Sequence, residues 1–342
     1  MSSREQVSDG RSKILFRFEV DEQVGLGHLC RCRAIAIEFA EHADVEIVLS
    51  SLREDLVQSA FGGVGYKLVS PGDIFGEALF DVAVVDVPDF SWQAQQSLNS
   101  VCKLFIGIDD SGAGPFVYDV LIRPNVLPLP AAQMSKVGAE IWAGKDYIVL
   151  HPAFAKLKPK SDKWKKAKDI LVCFGGSDPA GLTLRVIPVL RQLPVDIRIN
   201  VVIGQGFLQP EKAVDLIGGD RRFRVLLNIS DLAGMFNICG AALVAGGTLM
   251  YEACSLGVPS IVVCQNEEQK QEAAIFAGQH ALLNLGSAAD VSDNIIINAV
   301  EKVCCDIDLR KELSRNAKEM VPRAGVQRVT TMILGKLGRT VG

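Results

Sequence analysis

Short apolar runs rich in β-branched residues alternate with segments of helical spacing, and this alternation limits the fold more than any other feature of the chain. Ile14–Phe18, Val45–Leu49, Val82–Asp86, Leu104–Ile108 and Val120–Ile122 make one series. Asp169–Phe174, Ile197–Ile203, Arg224–Leu227, Ala242–Val244 and Ser260–Val263 make a second. Runs that are apolar on both faces and bounded by turn residues predict parallel strands covered by helices on each side, an α/β fold. A chain of 342 residues exceeds one ordinary core, so two such domains are expected, with a cleft between them. The expected division is an N-terminal domain at 13–155, a Lys-rich linker at 156–168, and a C-terminal domain at 169–342 that ends in helices from Ile295 to Leu337. Seven lysines with Pro159 break the rhythm in the linker, and a solvated hinge outweighs a patch for an anionic membrane or phosphate.

With 49% hydrophobic and 22% charged residues and a formal net charge of −4, the chain reads as globular, with no basic bias toward nucleic acid. Nine cysteines, an odd number without framework spacing, predict reduced thiols in the cytoplasm. Cys30 and Cys32 lie two apart on a helix and so point to different faces, which argues against a metal site. Met1–Lys13 is polar, and no apolar run reaches the roughly 18 residues of a membrane span, so neither a signal peptide nor stable membrane insertion is expected. A monomer is the default.

Three strand-to-helix turns carry glycine. In Gly25-Leu26-Gly27-His28 the glycines let backbone approach a ligand, and the free N–H groups of the helix start favour an anion. A Gly-x-Gly alone guarantees only a turn. His28 adds a proton-transfer group that the helix N-terminus should keep neutral near pH 7, as a general base requires. Gly175-Gly176-Ser177-Asp178 is the second turn, where Asp178 is expected to cap a helix with Pro179 at its first position. In the third, Gly246-Gly247-Thr248 opens a helix able to hold a diphosphate, and Glu252, one turn on, can accept from both hydroxyls of a ribose. Asp109 and Asp110 point to opposite sides of a strand end, so one is expected to cap a turn rather than bind metal. His42, His151 and His280 lack partner spacing and read as surface or packing residues.

The order of these motifs, ending in Ala-Gly-Gly-Thr-x-x-Tyr-Glu-Ala-x-x-Leu-Gly-x-Pro at Ala245–Pro259, resembles the nucleotide-sugar enzymes of the GT-B architecture. Arg17, Gly25–Arg31, Ile108-Asp109-Asp110 and Pro124-Asn125 more closely resemble the UDP-2,4-diacetamido-2,4,6-trideoxy-β-L-altropyranose hydrolases of pseudaminic acid biosynthesis and the related spore-coat polysaccharide proteins. The likeness runs from Ile14 to Leu283. It implies two Rossmann-like, doubly wound domains facing an interdomain cleft, with UDP on the C-terminal domain. His28 then corresponds to the histidine that takes a proton from water attacking the anomeric carbon, and neither a metal nor another cofactor is implied. The nucleotide would meet Gly175, Ser177, Gly246, Gly247, Thr248 and Glu252. The sugar would meet Arg17, Gly27, Asp86, Asn125, Asn266 and Gln269.

Departures qualify the substrate. Glu19 stands where the family has an aspartate, and Val87, Pro88 and Asp89 stand where it has a supporting tyrosine. Glu268 takes the place of a sugar-binding asparagine. A carboxylate only accepts, so Glu268 would suit a differently substituted sugar or serve as a second acid or base. A GT-B glycosyltransferase that passes the sugar to an alcohol and a non-catalytic nucleotide-sugar binding protein remain the alternatives.

Overall fold

Strand β1 (Ser12–Phe18) is buried on both faces, as its continuous apolar run demands, and it forms the middle of a sheet. The computed structural model describes residues 11–19, 26–42, 44–51, 54–74, 79–87, 90–108, 117–128, 138–158, 168–193 and 197–338. Gly25, Pro88, Asp89, Asp109, Asp110 and linker residues 159–167 therefore lie outside the described residues.

The first sheet also contains β2 (Val45–Ser50), β3 (Lys67–Leu68), β4 (Phe80–Asp86), β5 (Cys102–Ile108), β6 (Val120–Arg123) and β7 (Glu140–Ala143), in the order β3-β2-β1-β4-β5-β6-β7. The second contains β8 (Asp169–Cys173), β9 (Arg198–Ile203), β10 (Phe223–Leu227), β11 (Ala241–Ala245), β12 (Ser260–Cys264) and β13 (Leu283–Ser287), in the order β10-β9-β8-β11-β12-β13. Every pairing is parallel. In both sheets the order in which strands are added reverses beside the first strand, between β1 and β4 and between β8 and β11. Such a switch point opens a crevice at the carboxyl ends of the strands. The three strands that the apolar pattern misses, β3, β7 and β13, all lie at sheet edges, where one side of a strand is free of neighbours and the apolar signal thins.

Helix α1 (Gly27–His42) buries Leu29, Cys32, Ile35 and Phe39 against Phe16, Phe18 and Ile47. Farther on come α2 (Glu54–Ala60), α3 (Trp92–Asn99) and α4 (Pro152–Lys156), then α5 (Leu182–Arg191), α6 (Pro210–Ile217), α7 (Leu232–Ile238) and α8 (Thr248–Ser255). The chain ends with α9 (Glu267–Gly278), α10 (Asp293–Cys305), α11 (Ile307–Met320) and α12 (Gly325–Lys336).

The two cores exchange segments. Ile148, Leu150 and Phe154 pack with β8, β11 and α7 residues of the second domain, although they precede the linker. Conversely, α12 buries Val326, Val329, Ile333 and Leu334 with Phe39 and Trp142 of the first. The expectation that the last helices stay with the second domain thus does not hold for the packing of α12. Arg323 clasps this crossing: its Nη1 donates to the carbonyls of Phe154 at 3.1 Å, Ala155 at 3.4 Å and Leu157 at 2.5 Å, at the end of α4 where helical partners run out.

Candidate active site

His28 is the second residue of α1, so the turn after β1 delivers its ring to the carboxyl end of the sheet. Asp86, the last residue of neighbouring β4, is fully buried there, and its Oδ1 is hydrogen-bonded to His28 Nδ1. Burial alone would raise the Asp86 carboxyl, but the Arg31 guanidinium and His28 beside it hold it well below the usual carboxylate range. An ionised carboxylate can only accept, so Nδ1 is the ring nitrogen that carries a proton toward Asp86. Asp86, expected to contact the sugar, instead orients the histidine, because a group with no exposed surface cannot reach a ligand. Nothing in the apolar run Val82–Val85 signals that pairing; it arises from the parallel register that sets Phe18 of β1 beside Asp86 of β4.

Across the cleft, the second glycine turn closes on the first. A Cβ placed at Gly176 would lie 2.2 Å from Leu26 Cδ1, so the side chain two residues before His28 fills the space that glycine leaves. Gly175 adopts φ +106°, which frees the backbone to turn sharply after β8. Asp178 caps α5 as expected, accepting from the N–H of Leu182 at 3.0 Å and of Thr183 at 2.6 Å. Pro179 does not begin the helix. It lies in the preceding turn, and Gly181 stands between that turn and Leu182. Ser177 packs close to Gly206, where an added Cβ would come within 3.3 Å of the serine Cβ.

The third turn has Gly247 at φ +69° as the residue before α8, with Thr248 first in the helix. The opening N–H groups of α8 have no helical partner and point to where an anion would sit. One turn on, Glu252 is 9% exposed, and its carboxylate makes no hydrogen bond among the described residues. Burial pushes its pKa up to about 8. Its charge is felt by Cys173 at the end of β8 and by Cys30 on α1, raising both thiols. Glu252 therefore lies where the two domains meet, as a buried carboxyl group.

The start of α9 completes the crevice. Asn266 caps it, accepting from Gln269 N–H at 2.9 Å, and Glu268 follows in the first turn, half-buried. The side-chain oxygen of Gln269 accepts from Gln265 N–H at 2.9 Å, and the chain lies over Gly246, where a Cβ would come within 2.6 Å of it. On the other domain, Arg17 at the end of β1 donates to the Phe18 carbonyl at 2.7 Å and pairs with Glu19, while a Cβ on Gly27 would meet nothing within 4 Å among the described residues. Asn125 differs from its expected place against the sugar: it is 2% exposed and accepts from Leu127 N–H at 3.1 Å, which fixes the turn after β6. Of the remaining histidines, His151 caps α4 through Nδ1, and burial, with Arg33 and Lys156 nearby, pushes it down to about 4.

No family model matches the chain. A search of solved structures aligns it with MurG of Acinetobacter baumannii at a TM-score of 0.67 and 15% identity, over 94% of this chain and 99% of that one. The fold is GT-B. Among curated proteins, the spore coat polysaccharide biosynthesis protein SpsG of Bacillus subtilis is 33% identical over 195 residues, 56% of this GT-B chain. The match spans 58% of that relative's length. The UDP-2,4-diacetamido-2,4,6-trideoxy-β-L-altropyranose hydrolase of Campylobacter jejuni is 21% identical over 272 residues, 78% of this chain and 96% of that one.

Proposed function

We propose that the chain is a nucleotide-sugar enzyme that hydrolyses a UDP-linked amino-deoxy sugar at its anomeric carbon, releasing UDP, in the biosynthesis of a surface polysaccharide or nonulosonic acid. The observation that carries the reading is that the helix bearing His28, bonded to Asp86, meets the opposite domain: Leu26 lies against Gly176, and Cys30 lies near Glu252, whose carboxyl has no hydrogen bond among the described residues. One side of the cleft offers a base, and the other an anion cradle and a ribose acceptor. The name of the Campylobacter relative supports a UDP-sugar substrate, and that of the Bacillus relative supports a place in polysaccharide biosynthesis.

In this reading Glu252 accepts from the ribose hydroxyls, and the Thr248 hydroxyl with the opening N–H groups of α8 meets the diphosphate. Those donors matter more as the bond breaks, because the leaving UDP gains negative charge that the helix start already faces. His28 Nε2 takes the proton of the attacking water as its oxygen bonds to the anomeric carbon. A base so positioned contributes on the order of 10²–10⁴ in rate. Gln269 and Glu268 stand at the sugar end, one offering N–H donors and the other an acceptor, which favours a sugar bearing hydroxyl or ammonium donors near Glu268.

UDP release from a panel of UDP-linked amino-deoxy and acetamido sugars, without an acceptor, tests the proposal. Release by the wild type, reduced by 10²-fold or more in His28→Gln, is the expected result. Binding without release, turned to release by an added alcohol, would instead make the protein a glycosyltransferase. Binding with no release under either condition would leave a binding protein.

A further inference from the structure

Arg31 is the charged group nearest the candidate base that the proposed chemistry leaves without a task. It lies three residues after His28 on α1, a spacing that puts both side chains on the helix face turned to the end of β4. Its Nε donates to Asp86 Oδ2 at 2.8 Å and its Nη2 to Oδ1 at 2.9 Å, a two-point fork on one carboxylate. The same Nη2 lies 3.0 Å from His28 Nδ1. The guanidinium thus runs alongside the His28–Asp86 bond, and both donors converge on a single carboxylate oxygen.

We propose that Arg31 is a positioning residue for His28, gripping both oxygens of Asp86 so that Oδ1 is held where it accepts from Nδ1–H. The proposal rests on the reading of His28 as the base. Without Arg31, the buried carboxylate has two outcomes, and each spoils a base. It can stay ionised and draw a proton onto the ring, or it can take a proton itself and donate to Nδ1, which moves the ring hydrogen to Nε2. The other titratable groups on the surrounding elements do not substitute. Cys32 beside Asp86 and Arg31 is a buried thiol, Arg17 at the end of β1 is paired with Glu19, and Glu252 on α8 is an acid. A lysine at position 31 would keep the charge and lose the fork.

Nitrogen NMR of the His28 ring, with the pH profile of UDP release, tests this in wild type, Arg31→Met and Arg31→Lys. In the wild type the Nδ1–H tautomer is expected. In Arg31→Met the expected results are a titration raised by about one unit or more, an acid limb of kcat moved to higher pH by the same amount, and KM nearly unchanged. Arg31→Lys is expected to titrate close to the wild type while kcat falls about tenfold or more. An unchanged tautomer and titration in Arg31→Met would overturn the proposal, even if activity fell. Should Arg31→Met fail to fold, wild-type kcat in Arg31→Lys would overturn it. The tautomer is read without turnover, so if His28→Gln retained full UDP release, the base assignment would fall while the NMR result still decided what Arg31 does to the ring.

Discussion

Glu252 brings together a chemistry that the sequence suggests and an environment that only the folded chain creates. Its carboxyl is displaced from an ordinary value of 4.5 to about 8 because burial disfavours the charged form. Between those two values the unfolded chain has released a proton that the folded chain retains. Stability should therefore fall as pH rises through that window and level off above it. Glu252→Gln removes this slope. The variant is expected to melt a few degrees above the wild type at pH 8 and together with it near pH 4, while above pH 8, where the carboxyl is ionised, it binds UDP at least tenfold more weakly, since an amide replaces one acceptor oxygen with a donor. Thermal unfolding across pH in the absence of nucleotide checks the first part, and a wild-type melting temperature flat from pH 5 to 8 would contradict the buried carboxyl. The places of His28 and Glu252 at helix starts were legible because strand, glycine and helix start are local patterns. The burial of Asp86 and Asn125 and their bonds to neighbouring groups were not, because a strand-end polar residue looks the same in sequence whether it faces solvent or a neighbouring side chain.

Among the elements, the two glycine turns behave as a matched pair. Gly176 has room only for hydrogen on the side where Leu26 sits, so a methyl group there must push Leu26 or part the domains. Gly176→Ala is expected to lower UDP release about tenfold or more and to enlarge the radius of gyration, with little change in the unfolding of either domain. Adding Leu26→Ala should restore a large part of the activity, because it removes the atoms that the new methyl group meets. Scattering and turnover on the two variants decide this, and an undiminished Gly176→Ala would mean the contact does not govern closure. The glycines were visible in the sequence, but their contact was not, since 150 residues separate the two turns in the chain. Pro179 shows the same limit on a smaller scale: Asp178 reaches forward four and five residues to cap α5, and the intervening turn displaces proline from the position that Asp-Pro ordinarily marks.

For the whole molecule, α12 is the last helix of the chain yet belongs to the first core. Val326, Val329, Ile333 and Leu334 are buried there, and at about 1.5–3 kcal/mol each their burial amounts to roughly 10 kcal/mol. That rivals the whole stability of a typical domain, about 5–15 kcal/mol. Removing residues 325–342 is expected to unfold the first domain and leave the second sheet protected, which hydrogen exchange resolved by segment would show; equal protection of β1 and β4 with and without α12 would refute it. The sequence by itself determined that there are two parallel α/β units, where their central strands run, and which turns hold glycine and histidine, because these follow from periodicities of a few residues. Only the tertiary structure decided that Asp86 and Arg31 frame His28, that Leu26 seats on Gly176, and that α12 returns to the first core. Those contacts join residues far apart in the chain, and an apolar stripe or a buried charge specifies that it needs a partner without specifying which surface will supply it.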